Sequence, residues 1–267
     1  MNLSISNLAW NMEQNNAVYA LMQKYGFTAL EIAPTKIIAD EPYSHISAAA
    51  AWAVDVRAKY GFSISSMQSI WYGRSEKLFG TEAERTALLE YTKRAVDFAA
   101  AIGCKNLVFG CPKNRNKPDN ADEEISVRFF REIGDYAAAK NTCVALEANP
   151  AIYGTNFVNT THEAIALIRA VNSDGFKLNL DVGTMIQNGE PVSVLSGNAD
   201  LIHHVHISEP LLKKIEPRRL HNDLLSFLRS QKYAGFVSVE MGLQEHLSDI
   251  EDVMKYVGDK CHAESKK

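Results

Sequence analysis

The sequence lacks the features that define several common classes of protein. Its 267 residues include only four cysteines, none in a CxxC pair, so neither a disulfide framework nor a cysteine-rich zinc site is expected. No apolar run is long enough to span a membrane, and no cleavable leader precedes the first predicted strand. Walker A, G-x-G-x-x-G and G-x-S-x-G motifs are missing as well. These absences favour a soluble, cytoplasmic protein without a membrane partner.

An excess of positive charge is missing too. The 28 Lys and Arg residues are scattered among 32 Asp and Glu residues, which leaves a net charge of −4. Nothing resembles a basic stripe, so nucleic acid is not expected as a partner. Hydrophobic residues make up 46% of the chain, which is ample for a large core. The length is also close to that of a single (β/α)8 domain.

Short β-prone runs alternate with longer helical stretches along the whole chain. A run at 29–32 precedes an alanine-rich helix that stops at Gly61, and a run at 106–110 precedes a helix over about 122–140. After the sixth run we expect only a short helix, at about 192–196. No linker divides the eight units. Repeated strand–helix units specify a parallel sheet, so we predict an α/β protein with one (β/α)8 TIM barrel over residues 1–267.

The last four predicted strands each end on a side chain that can bind a metal ion. The carboxyl ends of barrel strands meet on one face, so residues remote in sequence become neighbours there. Three carboxylates and one imidazole at one point predict a divalent cation. Hard oxygen donors with one imidazole favour Mn²⁺, Mg²⁺ or Co²⁺, and Zn²⁺ is also compatible. The predicted ligands are Glu147, Asp181, His206 and Glu240.

Side chains near these strand ends are candidates for contact with the substrate. Residues two apart in a strand share a face, so His204 should lie inside the barrel below His206, whereas His203 should face the helices. Instead of contacting the substrate, His204 could lie one layer below the metal or form hydrogen bonds in the core. The other candidates are Trp10, Glu31 and Gln68 after strands one to three, Tyr153 after strand five, Asn179 in strand six and Glu209 after strand seven.

A basic loop with two prolines follows the fourth strand, at residues 111–118. Its cations include Lys113 and Arg115, and its position at the rim suits the binding of a carboxylate or phosphate group of the substrate. A solvated surface loop is the alternative interpretation.

Four short segments resemble the metal-binding strand ends of the sugar phosphate isomerase/epimerase superfamily, the xylose-isomerase-like TIM barrels. They are Leu146-Glu147, Leu180-Asp181-Val182-Gly183, His204-Val205-His206 and Val239-Glu240. The resemblance implies a metal-dependent isomerase or epimerase of a small carbohydrate, in which Glu147 and Glu240 form an acid/base pair on opposite faces of the substrate. Two positions depart from the epimerase pattern: Thr184 replaces a usual His, and Leu212 replaces a common Arg.

Two further kinds of function are compatible with the sequence. A dehydratase or lyase of the same superfamily would use the second acid to protonate a departing hydroxyl group. A non-catalytic barrel that binds a sugar or a partner protein is the alternative outside enzymes. The sequence is also compatible with a homo-oligomer.

Overall fold

Eight parallel strands close into a barrel in the computed structural model, which describes residues 1–262. They follow one another in sequence order, and the ring closes where Leu3 pairs with Val237. The predicted (β/α)8 barrel is therefore confirmed. The strands are β1 (Asn2–Ser6), β2 (Ala29–Ile32), β3 (Ser63–Met67), β4 (Leu107–Phe109), β5 (Val144–Leu146), β6 (Phe176–Asp181), β7 (Ile202–Ile207) and β8 (Phe236–Val239).

Eight α-helices surround the strands. They are α1 (Asn15–Tyr25), α2 (Ile46–Tyr60), α3 (Glu82–Ala101), α4 (Glu124–Ala139), α5 (Thr161–Val171), α6 (Val182–Asn188), α7 (Arg219–Ser230) and α8 (Leu247–His262). Reciprocal side-chain caps start α3 and α5, where Thr81 pairs with Glu84 and Thr160 with Glu163. Within residues 1–262, no helix combines the length and apolar character needed to cross a membrane.

The connection after β6 differs from the prediction. The α-helix α6 begins directly after Asp181, whose side chain caps it by accepting a hydrogen bond from the Thr184 amide. Residues 192–195, where we expected the helix, form only a 3-10 turn. Because α6 begins this early, its N-terminus holds the side chain of Asp181, one of the candidate metal ligands.

Alternate residues of the strands face two different environments. In β1, Leu3 and Ile5 pack in the apolar shell between strands and helices, whereas Ser4 and Ser6 alternate with them. The lumen carries mainly polar side chains with 1% exposure or less, among them Ser6, Glu31, Asn179, His204 and Ser238. Because the lumen is polar, the apolar side chains whose burial stabilises the fold lie mostly between the sheet and the helices.

A register irregularity in β7 turns His203 inward. The pairing of β6 with β7 slips so that Leu178 faces Ile202 but Asn179 faces His204. His203 Nδ1 lies 2.8 Å from Asn106 Oδ1, directly before β4. Since β4 and β7 are not neighbours in the ring, this contact crosses the lumen. The expectation that His203 faces the helices is wrong, because a bulge breaks the alternation of faces.

Gly175 allows β6 to start close against α4. A Cβ atom at this position would lie 2.0 Å from Gly134 O and 2.6 Å from Ala138 N, which are backbone atoms that cannot turn aside. We expect Gly175→Ala to lower the free energy of unfolding by about 3 kcal/mol or more through overpacking. Gly154→Ala is the control, because no atom lies within 4 Å of its Cβ position and its φ of 77° costs only about 1–2 kcal/mol. Urea unfolding of both variants measures the difference, and equal losses would contradict the prediction.

Candidate functional site

The four predicted metal ligands lie together at the carboxyl ends of β5 to β8. One potential ligand atom from each lies within 4.8 Å of all the others. His206 Nδ1 is 3.0 Å from Glu240 Oε2, 3.2 Å from Glu147 Oε2 and 3.9 Å from Asp181 Oδ2. The His206 side chain is fully buried, whereas the three carboxylates keep 9–12% exposure. The group is therefore nearly closed to solvent but open on the carboxylate side.

The charges of this group call for a cation. Burial, and then the charge of Glu147, raises the pKa of Asp181 to about 6. Burial likewise raises the pKa of Glu240 to about 7, although His206 opposes the shift. Burial would lower the pKa of His206, but the Glu240 and Glu31 carboxylates hold it well above its usual value. A divalent ion would take the place of the protons that these groups otherwise retain, so the donor set fits Mn²⁺, Mg²⁺ or Co²⁺.

Glu31 holds two histidines of β7 from the opposite side of the lumen. Its Oε2 atom lies 2.9 Å from His204 Nε2 and 2.9 Å from His206 Nε2. Burial would raise the pKa of Glu31, but the charges and hydrogen bonds of the two histidines keep it below its usual range. When His206 donates its Nε2 proton to Glu31, its Nδ1 lone pair faces the three carboxylates. That tautomer is the one that a metal ligand requires.

Hydrogen bonds fix the two ligands on β5 and β6. Asp181 Oδ1 accepts the Thr184 amide at 2.5 Å, and its Oδ2 accepts the Ser208 hydroxyl at 2.6 Å. The Glu147 carboxylate accepts amide protons from Asn149 and Asn179, both at 2.8 Å. Asn179 is thus placed as a support for Glu147 below the pocket.

A cavity of about 230 Å³ opens above Glu147, Asp181 and Glu240. Three predicted substrate contacts, Gln68, Tyr153 and Glu209, line it. The Glu209 carboxylate is clamped by Arg218, which donates from Nε and Nη2 at 2.6 Å each. The Tyr153 hydroxyl accepts the Leu211 amide at 2.8 Å. These contacts hold the pocket walls in one arrangement.

The other predicted contacts lie elsewhere. Glu31 and His204 lie beneath the ligand group and do not line the cavity. Trp10 is 1% exposed, donates from Nε1 to Asn15 Oδ1 at 2.7 Å and lines a separate cavity. Lys113 is exposed on the wall of an adjoining cleft. These positions do not support direct contact with a substrate bound at the four ligands.

Arg115 is fully buried, although the sequence placed it in an exposed rim loop. It donates from Nη1 to Glu147 O at 2.9 Å and from Nη2 to Asn149 Oδ1 and Val158 O, both at 3.1 Å. Burial lowers the pKa of the guanidinium to about 10. Nη1 and Nη2 thus bond protein oxygens, whereas the buried Nε has no partner among the described residues. Arg115 therefore braces the loop behind Glu147 and does not present itself to an anion.

Several residues of the site were not predicted from the sequence. Ser208 directly follows β7, and that position was the only signal for its bond to Asp181. Arg218 lies nine residues beyond Glu209 and had no local signal. Of the two positions that depart from the epimerase pattern, Thr184 donates its hydroxyl to Ala148 O at 2.7 Å, whereas Leu212 lines the pocket.

Comparisons with known proteins agree with this architecture. The family model described as xylose isomerase-like TIM barrel matches residues 19–257. No curated protein sequence matches the chain. One similar solved structure is a 3-keto-D-glucoside 4-epimerase from E. coli, with 19% identity, a TM-score of 0.77 and coverage of 98% of this chain and 100% of the other. A D-psicose 3-epimerase in the presence of D-fructose has 17% identity, a TM-score of 0.77 and coverage of 100% and 98%. A D-psicose 3-epimerase with D-tagatose from Clostridium cellulolyticum H10 has 15% identity, a TM-score of 0.79 and coverage of 98% and 99%. At these identities the likeness shows the fold.

Removal of the Glu31 charge should weaken metal binding. In Glu31→Gln the carboxylate that accepts both imidazole protons is lost, so His206 is no longer held in the ligand tautomer. We expect the Kd for Mn²⁺ to rise about 10–100-fold, as for other partners of metal-bound histidines. His203→Gln is the matched control, since His203 lies on the same strand but bonds Asn106. Titration calorimetry on variants with an unchanged circular dichroism spectrum measures both constants, and similar Kd values would contradict the role of Glu31.

Metal binding should also strengthen as the pH rises. The raised pKa values, about 6 for Asp181 and about 7 for Glu240, leave both carboxyl groups increasingly protonated below those values in the metal-free protein. An ion must displace these protons, so the Kd for Mn²⁺ should increase about tenfold per pH unit for each proton displaced as the pH falls from 7 towards 5. Calorimetry in two buffers with different ionisation enthalpies counts the protons released. A Kd that does not change over this range would refute the prediction.

Proposed function

Because the chain belongs to the xylose isomerase-like TIM barrel family, we propose that it is a divalent-metal-dependent isomerase or epimerase of a keto sugar or sugar derivative. One observation carries the proposal. Glu147 and Glu240 come from strands three places apart in the ring, yet both reach within 3.2 Å of His206 Nδ1 at the floor of one pocket. Two carboxylates that approach a bound sugar from different sides are what inversion at a carbon atom requires.

The size and lining of the pocket suit a carbohydrate. Its volume of about 230 Å³ lies just below the roughly 300–1,000 Å³ of drug-sized ligand pockets, which suits a small ligand such as one sugar. Gln68, Tyr153, Ser208 and Glu209 offer hydrogen-bond donors and acceptors around it. All three neighbours described above are named as sugar epimerases, and one is named for its action on a 3-keto-D-glucoside. These names support a ketose or keto-glycoside as the substrate class.

Glu147, Asp181, His206 and Glu240 would hold the metal ion, with Mn²⁺, Mg²⁺ and Co²⁺ as the preferred candidates and Zn²⁺ as a further one. When bound, such an ion polarises a carbonyl group and stabilises negative charge on its oxygen. The protein's part is to fix the donors: Glu31 orients His206, the Thr184 amide and Ser208 orient Asp181, and two asparagines orient Glu147.

Proton transfer falls to the two glutamates. One carboxylate removes the proton from the carbon beside the carbonyl, and the C–H electron pair moves to give an enediolate. The other glutamate then delivers a proton to the opposite face of that carbon, which inverts it. Delivery to the neighbouring carbon, with transfer of the hydroxyl proton to the former carbonyl oxygen, moves the carbonyl instead. Burial raises the pKa of Glu240 to about 7 in the metal-free protein, which supports a proton-carrying role for this group.

Two departures from the epimerase pattern shape how the substrate is held. Thr184 uses its hydroxyl on Ala148 O, and Leu212 presents an apolar side chain to the pocket. The substrate hydroxyls must therefore bond to other groups. Glu209 is the best placed acceptor, because Arg218 fixes its carboxylate at the pocket wall.

The experiment that tests this function is solvent deuterium exchange. Protein loaded with Mn²⁺ is incubated in D₂O with D-fructose, D-psicose and D-tagatose, and NMR detects deuterium at the carbon beside the carbonyl. In Glu240→Gln an oxygen donor for the metal remains but the base is lost, so exchange should fall about 10²–10⁴-fold while metal content persists. Glu245→Gln makes the same chemical change at an exposed position outside the pocket and should keep wild-type exchange.

Other results would point to other functions. Product without deuterium would replace the two-glutamate scheme with a hydride shift between neighbouring carbons. Loss of water from the sugar would identify a dehydratase, in which one glutamate protonates a departing hydroxyl. A protein that binds no stoichiometric metal and converts none of the sugars would leave a non-catalytic binding barrel.

A further inference from the structure

A second cavity opens beside the substrate pocket, and the two share a wall. The shared residues are Ser69, Cys111 and Pro112, from the loops after β3 and β4. The second cavity, which we call the side cleft, has a volume of about 480 Å³, against about 230 Å³ for the pocket above the ligand group. Its remaining walls are Trp71, Tyr72, Gly73, Arg74, Lys113 and Asn114. A sugar in the pocket therefore has space beside it for a further group of similar size.

The walls of the side cleft are tied to one another. The Asn114 side-chain amide donates to Arg74 O at 3.0 Å and to Glu76 O at 2.9 Å. The Asn114 carbonyl in turn accepts the Leu78 amide at 2.8 Å, and Lys77 Nζ donates to Lys113 O at 2.7 Å. These four bonds join the loop after β3 to the loop after β4. The side cleft is thus formed before any ligand arrives, which lowers the entropic cost of binding.

The backbone at the shared wall is held in an unusual conformation. Ser69 and Cys111 have φ values of 56° and 46°, in the left-handed region that side chains other than glycine rarely adopt. Such strained backbone persists only where the surrounding structure holds it in place. Both residues line the pocket and the side cleft, so this backbone forms the boundary between the two cavities.

The surface of the side cleft suits a neutral ring. Tyr72 is 70% exposed, which makes it one of the few large hydrophobic side chains on the surface of the described residues. Trp71 forms a fixed wall, because its Nε1 donates to Thr92 Oγ1 at 2.8 Å and its ring meets Phe109 edge to face. The Arg74 guanidinium is already paired with Glu76 and lies over the Tyr91 ring. Among residues 1–262, Lys113 is then the one cation on the wall without an ion pair. A single free positive charge would bind a phosphate group only weakly.

We infer that the substrate is a glycosylated keto sugar, whose second ring packs on Tyr72 in the side cleft while the reacting ring lies over Glu147 and Glu240. The inference rests on the proposed function and favours a glycosylated substrate over a free ketose. Packing of a sugar ring on an exposed aromatic side chain and hydrogen bonds along the side cleft both strengthen binding. A gain in affinity of about tenfold over the unsubstituted sugar is therefore expected.

Binding of paired sugars tests the inference. Protein loaded with Mn²⁺ is titrated calorimetrically with D-fructose and with three glycosyl-fructoses, lactulose, maltulose and isomaltulose, which attach the second ring at two different oxygens. At least one glycosyl-fructose should bind about tenfold more tightly than D-fructose. Tyr72→Ala should reduce this ratio of Kd values to below about twofold, and Tyr72→Phe, which keeps the ring, should preserve it.

The remaining outcomes overturn the inference in distinguishable ways. If D-fructose binds but no glycosyl-fructose binds more tightly, the side cleft does not hold a glycosyl group, while the proposed function stands. If D-fructose 6-phosphate shows the gain instead and Lys113→Ala removes it, the side cleft binds an anion. If none of the sugars binds to the metal-loaded protein and none exchanges deuterium, the proposed function fails and the inference fails with it.

Discussion

A buried carboxylate that accepts two imidazole protons is the interaction on which the site depends. Glu31 is fully buried inside the barrel, and isolation of its charge there would cost several kcal/mol. The bonds to His204 and His206 offset that cost. The same bonds determine which nitrogen of His206 faces the pocket, so the stability of the lumen and the chemistry of the ligand group rest on one side chain.

This arrangement divides the barrel into two environments. Outside the sheet, apolar packing such as the stacked rings of Phe130 and Phe176, 4.8 Å apart, supplies the burial that stabilises the fold. Inside the sheet, polar side chains hold one another across the lumen, as His203 does with Asn106. A polar lumen contributes less hydrophobic free energy, but it fixes side chains in single orientations. Fixed orientation is what a site with several ligands requires.

The mouth of the barrel is divided as well. Strands β5 to β8 carry the candidate ligands and proton carriers, whereas the loops after β3 and β4 form the side cleft. Arg115 joins the two halves, because it belongs to the loop after β4 yet donates to the backbone oxygen of Glu147. Arg115 therefore links the loop that lines the side cleft to one of the two glutamates.

The sequence by itself determined the order of strands, their approximate ends and the four candidate ligands. These follow from local rules, since hydrophobic periodicity marks the strands and all strand ends of a parallel barrel meet on one face. It also placed Gln68, Tyr153 and Glu209 near the pocket, because each closely follows a strand end. Only the tertiary structure decided the roles of Glu31, His203 and Arg115. The first two make contacts across the lumen, which depend on how the sheet closes and on a bulge in β7 that no periodicity reveals. Arg115 looked like a rim cation by composition, but the path of its loop buries it against three protein oxygens, and the path of a loop is set by the packing around it.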